Sequence, residues 1–267
     1  MIFLITKYDS LSQGLLEAIG CILQARMGST RLPGKVMLPV DDSNPVIWYV
    51  VNQMKYSKFC KRVIIATTKL ADDDKIIDFA KKKSLDCFRG STYDCLDRYY
   101  QCAKHFSIST IIRITCDNPL IDPSLVDDAI RVFDEGNYDY VTNCRPRTFP
   151  QGTEVEVFSF NALEKAWKEA KIPSEREHVT PYFYNNPDKF KISNITNHED
   201  RSNLRWTVDR MDDLNLVRAL VLRIKKSPIL MNDILKVLEN EPELVNLNKN
   251  HVKDEGYLRS LDNDKKS

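Results

Sequence analysis

The sequence predicts an α/β protein built around a mostly parallel β-sheet, and three observations lead to this prediction. Short apolar runs alternate with amphipathic helical segments between residues 20 and 133. Those helical segments are about a dozen residues long, as crossovers between parallel strands require. The chain, at 267 residues, is long enough to bury a substantial core. Ligands of such sheets bind beyond the carboxyl ends of the strands, so the residues at those ends are the first functional candidates.

The first strand of this pattern leads into a glycine-containing loop at residues 24–35. Ile22 and Leu23 are apolar, as a buried parallel strand requires. Gly28 and Gly34 follow, and glycine allows the backbone to turn so that its N–H groups approach an anion. We therefore interpret this segment as a phosphate-binding loop.

Three cations in the same loop support this interpretation. Arg26, Arg31 and Lys35 combine guanidinium forks with a mobile ammonium, which suits a triphosphate better than a carboxylate. The loop is not a Walker A motif, because its glycines are one residue too far apart and Val36 replaces the magnesium-binding Ser or Thr. The alternative is a surface turn with solvated arginines, but such a turn seldom holds three cations directly after a buried strand.

Strands and helices then alternate along the chain. The helix ends carry the expected signals. Proline begins the first helix, and Asp122 is placed to cap the fourth. The second helix has acidic residues in its first turn and lysines in its last. The predicted elements are a helix at 45–54, a strand at 62–68, a helix at 72–83, a short strand near 87–88, a helix at 93–105, a strand at 110–115, a helix at 123–133, a strand at 205–209 and helices at 212–225 and 231–239.

The strand ends supply candidate nucleotide ligands. Small, hydroxyl and cationic residues are concentrated there, although threonines at strand ends are also common because of their β propensity. The candidates are Leu23, Ala25, Arg26, Gly28, Ser29, Arg31, Lys35, Thr67, Thr68, Arg89 and Gly90. Since parallel strands end at one edge of the sheet, together they predict a nucleotide pocket.

Two aspartates are candidate magnesium ligands. Asp117 leaves the fourth strand beside the expected triphosphate, and Asp209 ends the predicted strand at 205–209. Mg²⁺ prefers one or two carboxylates together with phosphate oxygens and water. Asp117 also suits a simple turn, but the neighbouring phosphate-binding loop favours the metal. Asp212 and Asp213 are better explained as residues that cap the following helix.

Composition limits the functional classes. A net charge of +1 argues against nucleic acid or a membrane surface as a general partner. The seven cysteines include no Cys-x-x-Cys pair, so neither a zinc site nor a disulfide framework is expected. The apolar opening at residues 1–5 is too short for a signal sequence. We therefore expect a soluble, cytoplasmic protein with reduced thiols.

Six motifs, taken in order, resemble those of the SpsF-type cytidylyltransferases, which are related to the CTP:acylneuraminate and CTP:3-deoxy-manno-octulosonate cytidylyltransferases. The resemblance runs from about residue 20 to about residue 225. The ordered set is far more specific than any single glycine-containing loop. The motifs are ILQARMGSTRLPGK at 22–35, FRGS at 88–91, DCLDRY at 94–99, RITCDNPLI at 113–121, EREHVTP at 175–181 and RWTVD at 205–209.

The resemblance implies a Rossmann-like nucleotidyltransferase fold with a mostly parallel central sheet and a small β-rich dimerisation arm. The expected domain spans residues 20–230, with the arm inserted at about 145–195 and extensions at 1–19 and 240–267. The roles implied by motif position are CTP phosphate binding for Arg26, Arg31 and Lys35, cytosine contact for Arg89, and Mg²⁺ binding for Asp117 and Asp209.

The implied reaction transfers CMP from CTP to an acidic, 2-keto, nonulosonate-like sugar and releases pyrophosphate. Arg26, Lys35, Asp117 and Asp209 are the residues expected to act in catalysis. Two alternatives stay open: a nucleotidyltransferase that uses another NTP or a sugar 1-phosphate, and a catalytically silent nucleotide-binding protein. Cys116 stands where the family usually has glycine, and we expect it to narrow the pocket.

The second half of the chain is expected to build the acceptor site. Arginine side chains can bind a sugar carboxylate, and a glutamate can bind sugar hydroxyls. The simpler explanations are that the arginines are solvated, that the glutamate lies on an exposed strand edge and that the histidine packs against its neighbours. The candidate acceptor-binding residues are Arg145, Arg147, Glu156 and His178. Ser174 and Glu177 have the spacing of a capping box that would begin a helix just before His178.

Predicted strands at 154–159 and 190–195 lie outside the repeat and have no obvious partner within it. Because unpaired strand edges favour association, these strands and the resemblance predict a homodimer; the alternative is that the strands extend the main sheet of a monomer. Residues 1–19 look detached from the repeat, as an extra edge element or a start codon placed too early. The polar tail that ends at residue 267 is expected to be disordered.

Overall fold

In the computed structural model, which describes residues 18–266, a seven-stranded sheet forms the centre of the fold. The strands are β1 (Ile19–Gln24), β2 (Val63–Thr68), β3 (Asp86–Gly90), β4 (Thr110–Thr115), β5 (Tyr140–Thr142), β6 (Glu156–Ser159) and β7 (Ile192–Asn194). Their order is β3-β2-β1-β4-β6-β5-β7. Within the described residues only β6 runs antiparallel to its neighbours. The predicted α/β class with a mostly parallel sheet is confirmed.

Helices cover both faces of this sheet. In the described part of the chain they are α1 (Val46–Met54), α2 (Asp74–Lys82), α3 (Cys95–His105), α4 (Pro123–Gly136), α5 (Phe160–Glu169), α6 (Pro173–His178), α7 (Pro181–Asn185), α8 (Met211–Arg223), α9 (Met231–Asn240) and α10 (Glu255–Asp264). Asp122 caps α4 as predicted, because its carboxylate accepts a hydrogen bond from the Ser124 N–H at 2.8 Å.

Alternating residues of the central strands face two separate cores. In β1, the side chains of Cys21 and Leu23 pack in a core that includes α1, α2 and α4, whereas Ile22 packs on the opposite face with α3. In both cores, each fully buried aliphatic side chain stabilises the fold by about 1.5–3 kcal/mol. A third apolar cluster, centred on Trp206 and Leu214, joins α8 and α9 to this framework.

The two strands expected to lie outside the repeat belong to the central sheet. β6 pairs with β4 and β5, with Ile111 opposite Phe158, and β7 pairs with β5 along the other side. The expectation that they lack partners is therefore wrong, because β4 and β5 provide them. Unpaired strands therefore no longer support the predicted homodimer, which stays a prediction from the resemblance alone.

Three further segments differ from expectation. Residues 205–209 form an extended segment with an isolated bridge between Gln151 and Arg205 in place of a full strand. The polar tail is not disordered up to residue 266, because it contains α10. Neither Ser174 nor Glu177 forms a capping box, since α6 begins at Pro173 and no side chain caps it.

The expectations for residues 1–17 lie outside the described residues. Among residues 18–266, no helix is both long enough and apolar enough to span a membrane. The seven cysteine thiols are all free, and five of them are buried, in agreement with the prediction that they form no disulfide framework.

Candidate active site

The loop after β1 is fixed in place by one buried aspartate. Asp73 accepts a hydrogen bond from the Met27 N–H at 2.7 Å and a second from the Thr68 N–H at 3.2 Å. The Thr68 hydroxyl also donates to the same carboxylate. The end of β2 and the start of the loop are thereby held together, which gives the cations of the loop a rigid base.

The two loop glycines have different roles. Gly34 adopts φ +71°, in the left-handed region that favours glycine, and its N–H donates to the Met27 carbonyl at 2.9 Å. Gly28 does not have a positive φ, and a Cβ there would meet nothing within 4 Å. Gly34 therefore closes the turn, and the expectation that both glycines bend the backbone holds only for Gly34.

A buried lysine brings the two candidate metal ligands together. The Lys35 Nζ donates to Asp117 Oδ2 at 2.6 Å and to Asp209 Oδ1 at 2.7 Å, with only 11% of the lysine side chain exposed. Arg31 donates to the same Asp209 oxygen at 2.5 Å, and Arg205 donates to Asp209 Oδ2 at 2.9 Å. These contacts define a charged cluster at the carboxyl end of the sheet.

The position of Asp209 depends on a close approach of three backbone segments. The Val208 N–H donates to the Asp117 carbonyl at 2.7 Å, which places the two aspartates side by side. On the other side, the Trp206 N–H donates to the Gln151 carbonyl at 2.8 Å. Gly152 has φ +108°, and a Cβ there would lie 2.6 Å from the backbone nitrogen of Thr207. Only glycine permits this approach, so Gly152 positions the segment that carries Asp209.

The surrounding charges keep both partners of the central contact ionised. Burial alone would raise the pKa of Asp209, but Lys35, Arg31 and Arg205 lower it to about 2. Burial alone would lower the pKa of Lys35, but Asp117 and Asp209 raise it above its ordinary value. At neutral pH the cluster therefore contains a full carboxylate at position 209 and a full ammonium at position 35.

The donor set of this cluster fits a magnesium ion. Asp117 and Asp209 direct hard carboxylate oxygens at one cationic group, the Lys35 ammonium. Residues 18–266 contain no group of three or more His, Cys, Asp or Glu side chains arranged as a metal site. The protein would thus offer two carboxylates and leave the other positions to phosphate oxygens and water, as Mg²⁺ prefers.

Three adjoining cavities surround the cluster. The base cavity, of about 300 Å³, lies between the end of β1 and the start of α3; the phosphate cavity, of about 320 Å³, lies over the loop; and the acceptor cavity, of about 290 Å³, lies beside β6. His178 lines all three, whereas Asp117 lines the phosphate and acceptor cavities.

Most of the predicted loop residues line the phosphate cavity. Arg26, Ser29, Arg31 and Lys35 all contribute to its wall. The Arg26 side chain is exposed and also reaches the base cavity. Among residues 18–266 its guanidinium has no hydrogen bond or ion pair, so its charge is available to an anionic ligand.

The base cavity differs from the prediction. Ala25 lines it, but Leu23 is fully buried in the core and cannot contact a ligand. Arg89 donates to the Thr68 and Leu70 carbonyls and to Asp74, so its side chain ties down a neighbouring loop. The remaining predicted residues that line none of the three cavities are Gly28, Thr67, Thr68 and Gly90.

The sequence suggested Arg89 as the arginine near the base, but the arginine that lines the base cavity is Arg98. It is buried beneath the base cavity, where it donates to the Ser91 carbonyl at 2.7 Å. Its Nε has no partner among residues 18–266. Tyr93, with 91% of its surface exposed, stands at the rim of the same cavity. A buried cation and an exposed aromatic ring therefore meet where a base would bind.

All four predicted acceptor residues line the acceptor cavity. The Arg145 guanidinium lies 3.5 Å from the centre of the Tyr184 ring, as in a cation–π contact. Arg147 pairs with Glu154 and, at 3.3 Å, with Asp254. Both arginines therefore line the same cavity, as predicted from the sequence. Of the two, only Arg145 lacks an ion pair among the described residues.

Glu156 is buried, so the alternative of an exposed strand edge is wrong. It forms an ion pair with Arg113 and accepts a hydrogen bond from the Tyr140 hydroxyl at 2.5 Å. Burial alone would lower the pKa of Arg113, but Glu156 raises it well above its ordinary value. Glu156 therefore forms a fixed anionic wall of the acceptor cavity.

His178 is part of the contact between α6 and α10. Its Nε2 lies 2.8 Å from the Ser260 Oγ, and that hydroxyl donates to Glu177 Oε2 at 2.9 Å. Burial, together with Arg113 and Arg26, lowers the pKa of His178 despite the nearby Glu177. The imidazole is therefore neutral at pH 7, and His178 combines packing with a position beside the ligand cavities.

Sequence reasoning missed most residues contributed by α10. Its inner face carries Gly256, Ser260 and Asp264 at a spacing of four residues, and none of these side chains is apolar. No hydrophobic stripe therefore marked the helix in the sequence. Cys116 was predicted to narrow the pocket; it lies at the phosphate cavity but is buried in the core, without a positive φ.

Comparisons with known proteins show which proteins this chain resembles. A family model described as cytidylyltransferase matches residues 20–244, so α10 lies beyond the matched region. The spore coat polysaccharide biosynthesis protein SpsF of Bacillus subtilis is 32% identical over 232 residues, which cover 83% of this chain and 94% of SpsF. A solved cytidylyltransferase structure from Leptospira borgpetersenii has a TM-score of 0.82 and 35% identity, and the match covers 88% of this chain and 98% of that one. A 3-deoxy-manno-octulosonate cytidylyltransferase of Lawsonia intracellularis is 27% identical over 173 residues, 61% of this chain and 66% of that protein.

Proposed function

The chain belongs to the cytidylyltransferase family, and we propose that it transfers CMP from CTP to an acidic 2-keto sugar with release of pyrophosphate. Its class, a CTP-dependent nucleotidyltransferase, follows from that membership. The observation that carries the proposal for the site is the row of three cavities, which share His178, with Asp117 between the phosphate and acceptor cavities. Such a row accommodates base, triphosphate and acceptor in the order that the reaction needs.

The nucleotide is proposed to bind across the base and phosphate cavities. Arg98 supplies a buried donor for the cytosine, and the exposed ring of Tyr93 is available to stack on it. Arg26 and Arg31 would then pair with the phosphates, because both line the phosphate cavity. This arrangement leaves the α-phosphorus close to Asp117, between the nucleotide and the acceptor.

Magnesium is proposed to bind at Asp117 and Asp209, where it would supply positive charge to the phosphate oxygens. Lys35 is a full cation at this point and neutralises charge on the departing pyrophosphate. Asp209, with its pKa lowered to about 2, is a poor proton acceptor, so its role is to hold cations. The residues of this site thus act by positioning and charge neutralisation, which supply most of the acceleration in phosphoryl transfer.

The acidic acceptor is proposed on one arginine of the acceptor cavity. Arg145 lacks an ion pair among the described residues and lies over the Tyr184 ring, so its guanidinium is available for a carboxylate. The buried Glu156, held by Arg113, disfavours a second strongly anionic group such as a sugar 1-phosphate nearby. The name of the relative from Lawsonia intracellularis, which acts on 3-deoxy-manno-octulosonate, supports a 2-keto acid.

Pyrophosphate release, measured with each NTP against a panel of acceptors, tests the proposed function. The panel contains nonulosonic acids, 3-deoxy-manno-octulosonate and sugar 1-phosphates. We expect turnover with CTP and a 2-keto acid, and Arg145→Ala should raise the KM for the sugar about tenfold while the KM for CTP is unchanged. The surface variant Arg62→Ala is the matched control, because it removes an exposed pair with Asp86 and contacts with Phe106, and none of these residues lines the three cavities. Turnover with a sugar 1-phosphate alone, or none with any pair, would contradict the proposal.

A further inference from the structure

The carboxylate of Glu255, the first residue of α10, is surrounded by three arginines from different parts of the chain. Arg31 of the loop donates to Glu255 Oε2 at 3.2 Å, and Arg210, just before α8, donates to both oxygens at 3.2 and 3.0 Å. Arg259, one turn further along α10, donates to Oε1 at 3.0 Å. One carboxylate thus accepts hydrogen bonds from three guanidinium groups, an arrangement that also suits a phosphate.

Two of the three arginines, Arg31 and Arg259, line the phosphate cavity, so the cluster lies at the edge of that cavity. Arg31 contacts both Glu255 and Asp209, so the carboxylate of Glu255 is one side chain away from the proposed metal ligands. Gly256 and Arg259 line the phosphate cavity, and Glu255 lines the neighbouring acceptor cavity. The Glu255 side chain is 23% exposed, so solvent and small ions can reach it.

The far part of α10 is held independently of Glu255. The buried Ser260 donates to Glu177 at 2.9 Å and lies 2.8 Å from His178 Nε2. Asp264 accepts a hydrogen bond from the Ser174 N–H at 3.1 Å. These contacts fix the helix against α6, so the Glu255 side chain can turn away without release of the whole helix.

We propose that Glu255 occupies, in the free enzyme, the position that the terminal phosphates of a nucleoside triphosphate take on binding. The inference rests on the proposed function. When the phosphates arrive they replace the carboxylate, and Arg210 and Arg259 become phosphate ligands beside Arg31. Inorganic pyrophosphate carries the same groups and competes with Glu255 in the same way. After turnover, the return of Glu255 to its three arginines favours pyrophosphate release.

Calorimetric titration of the full chain with sodium pyrophosphate, and separately with CMP, tests this inference. Glu255→Gln removes the competing charge, so pyrophosphate should bind about tenfold tighter. Arg259→Ala removes a phosphate ligand, so pyrophosphate should bind about tenfold more weakly. Neither variant should change CMP affinity more than about twofold, because CMP lacks the terminal phosphates. Glu241→Gln is the matched control, since it removes a carboxylate paired with Arg223 away from the cavities, and should change neither affinity.

The outcomes separate this inference from the proposed function. If Glu255→Gln leaves pyrophosphate affinity unchanged or weakens it, Glu255 does not compete with phosphate and the inference fails. An unchanged affinity in Arg259→Ala overturns it too, and this second variant does not depend on how the helix tolerates Gln at position 255. If the wild type and both variants bind pyrophosphate with the same affinity, the inference fails and the proposed function is not affected. Wild-type protein that binds neither pyrophosphate nor CTP removes the proposed function as well.

Discussion

Replacing Lys35 with methionine should leave two carboxylates facing each other without the cation between them. Asp117 Oδ2 and Asp209 Oδ1 lie 2.6 and 2.7 Å from the Lys35 Nζ, so these two oxygens are no more than about 5 Å apart. At an effective dielectric constant of about 20, like charges at that separation repel by about 3 kcal/mol. We therefore expect Lys35→Met to lower the free energy of unfolding by about 3 kcal/mol at pH 7, as when one partner of a buried pair is removed.

The same loss should depend on pH with a defined sign. The folded-state pKa of Asp209 is about 2, below its ordinary value of 3.8, so in the wild type its contribution to stability is complete above pH 3.8 and is lost as pH falls through about 2. That contribution is about 2 kcal/mol, and Lys35 is the largest of the charges that produce it. In Lys35→Met the charge that most lowers the pKa of Asp209 is lost, so Asp209 protonates at higher pH and the repulsion is relieved there. The difference between wild type and variant should therefore be larger at pH 7 than at pH 4.

Urea denaturation at pH 7 and pH 4 measures these changes in the free energy of unfolding. Each titration is run without Mg²⁺ and with about 10 mM Mg²⁺, an excess over the protein. Mg²⁺ should stabilise Lys35→Met more than wild type, because a divalent ion can take the place of the ammonium between the carboxylates. Lys226→Met removes an exposed lysine paired with Asp233 and should change stability by no more than about 0.5 kcal/mol. A loss in Lys35→Met of less than about 1 kcal/mol, or the same loss at both pH values, would refute the reasoning.

Three further predictions concern the nucleotide, the positioning of Asp209 and the assembly. Arg26→Ala should weaken CTP about tenfold and CMP less, because its guanidinium is available to the outer phosphates; equal losses in calorimetry would place Arg26 elsewhere. Gly152→Ala should lower kcat about 10²-fold, because a Cβ would lie 2.6 Å from the Thr207 nitrogen and displace Asp209; an unchanged kcat would refute the positioning role. Light scattering should give about twice the 30.9 kDa chain mass if the predicted homodimer forms, whereas a single-chain mass at high micromolar concentration would exclude it.

Local patterns in the sequence were sufficient for the first four strands and for the residues of the charged cluster, whereas β5 was not predicted and β6 and β7 were expected outside the sheet. Apolar strands between amphipathic helices predicted β1 to β4, because period and length depend on neighbouring residues alone. The cations of the loop and the two aspartates follow strand ends or extended segments, and the rule that parallel strands end at one edge brought them together correctly.

What the sequence could not provide depends on contacts between distant segments. Acids alternate with valines around Glu156, which predicted a strand with a polar face, but not that Arg113 and Tyr140 would bury that acid. Arg89 and Arg98 both follow the third strand closely, and only the folded chain shows that Arg98 reaches the base cavity. The inner face of α10 is small and polar, so no periodic apolar signal marked it.

A crystal structure with CTP and Mn²⁺, with anomalous data for the metal, tests the central claim most directly. The account predicts a manganese ion bound by Asp117 and Asp209, phosphates beside Arg26 and Arg31, and the cytosine over Arg98. Manganese bound to other side chains, or a triphosphate that lies outside the phosphate cavity, would contradict it.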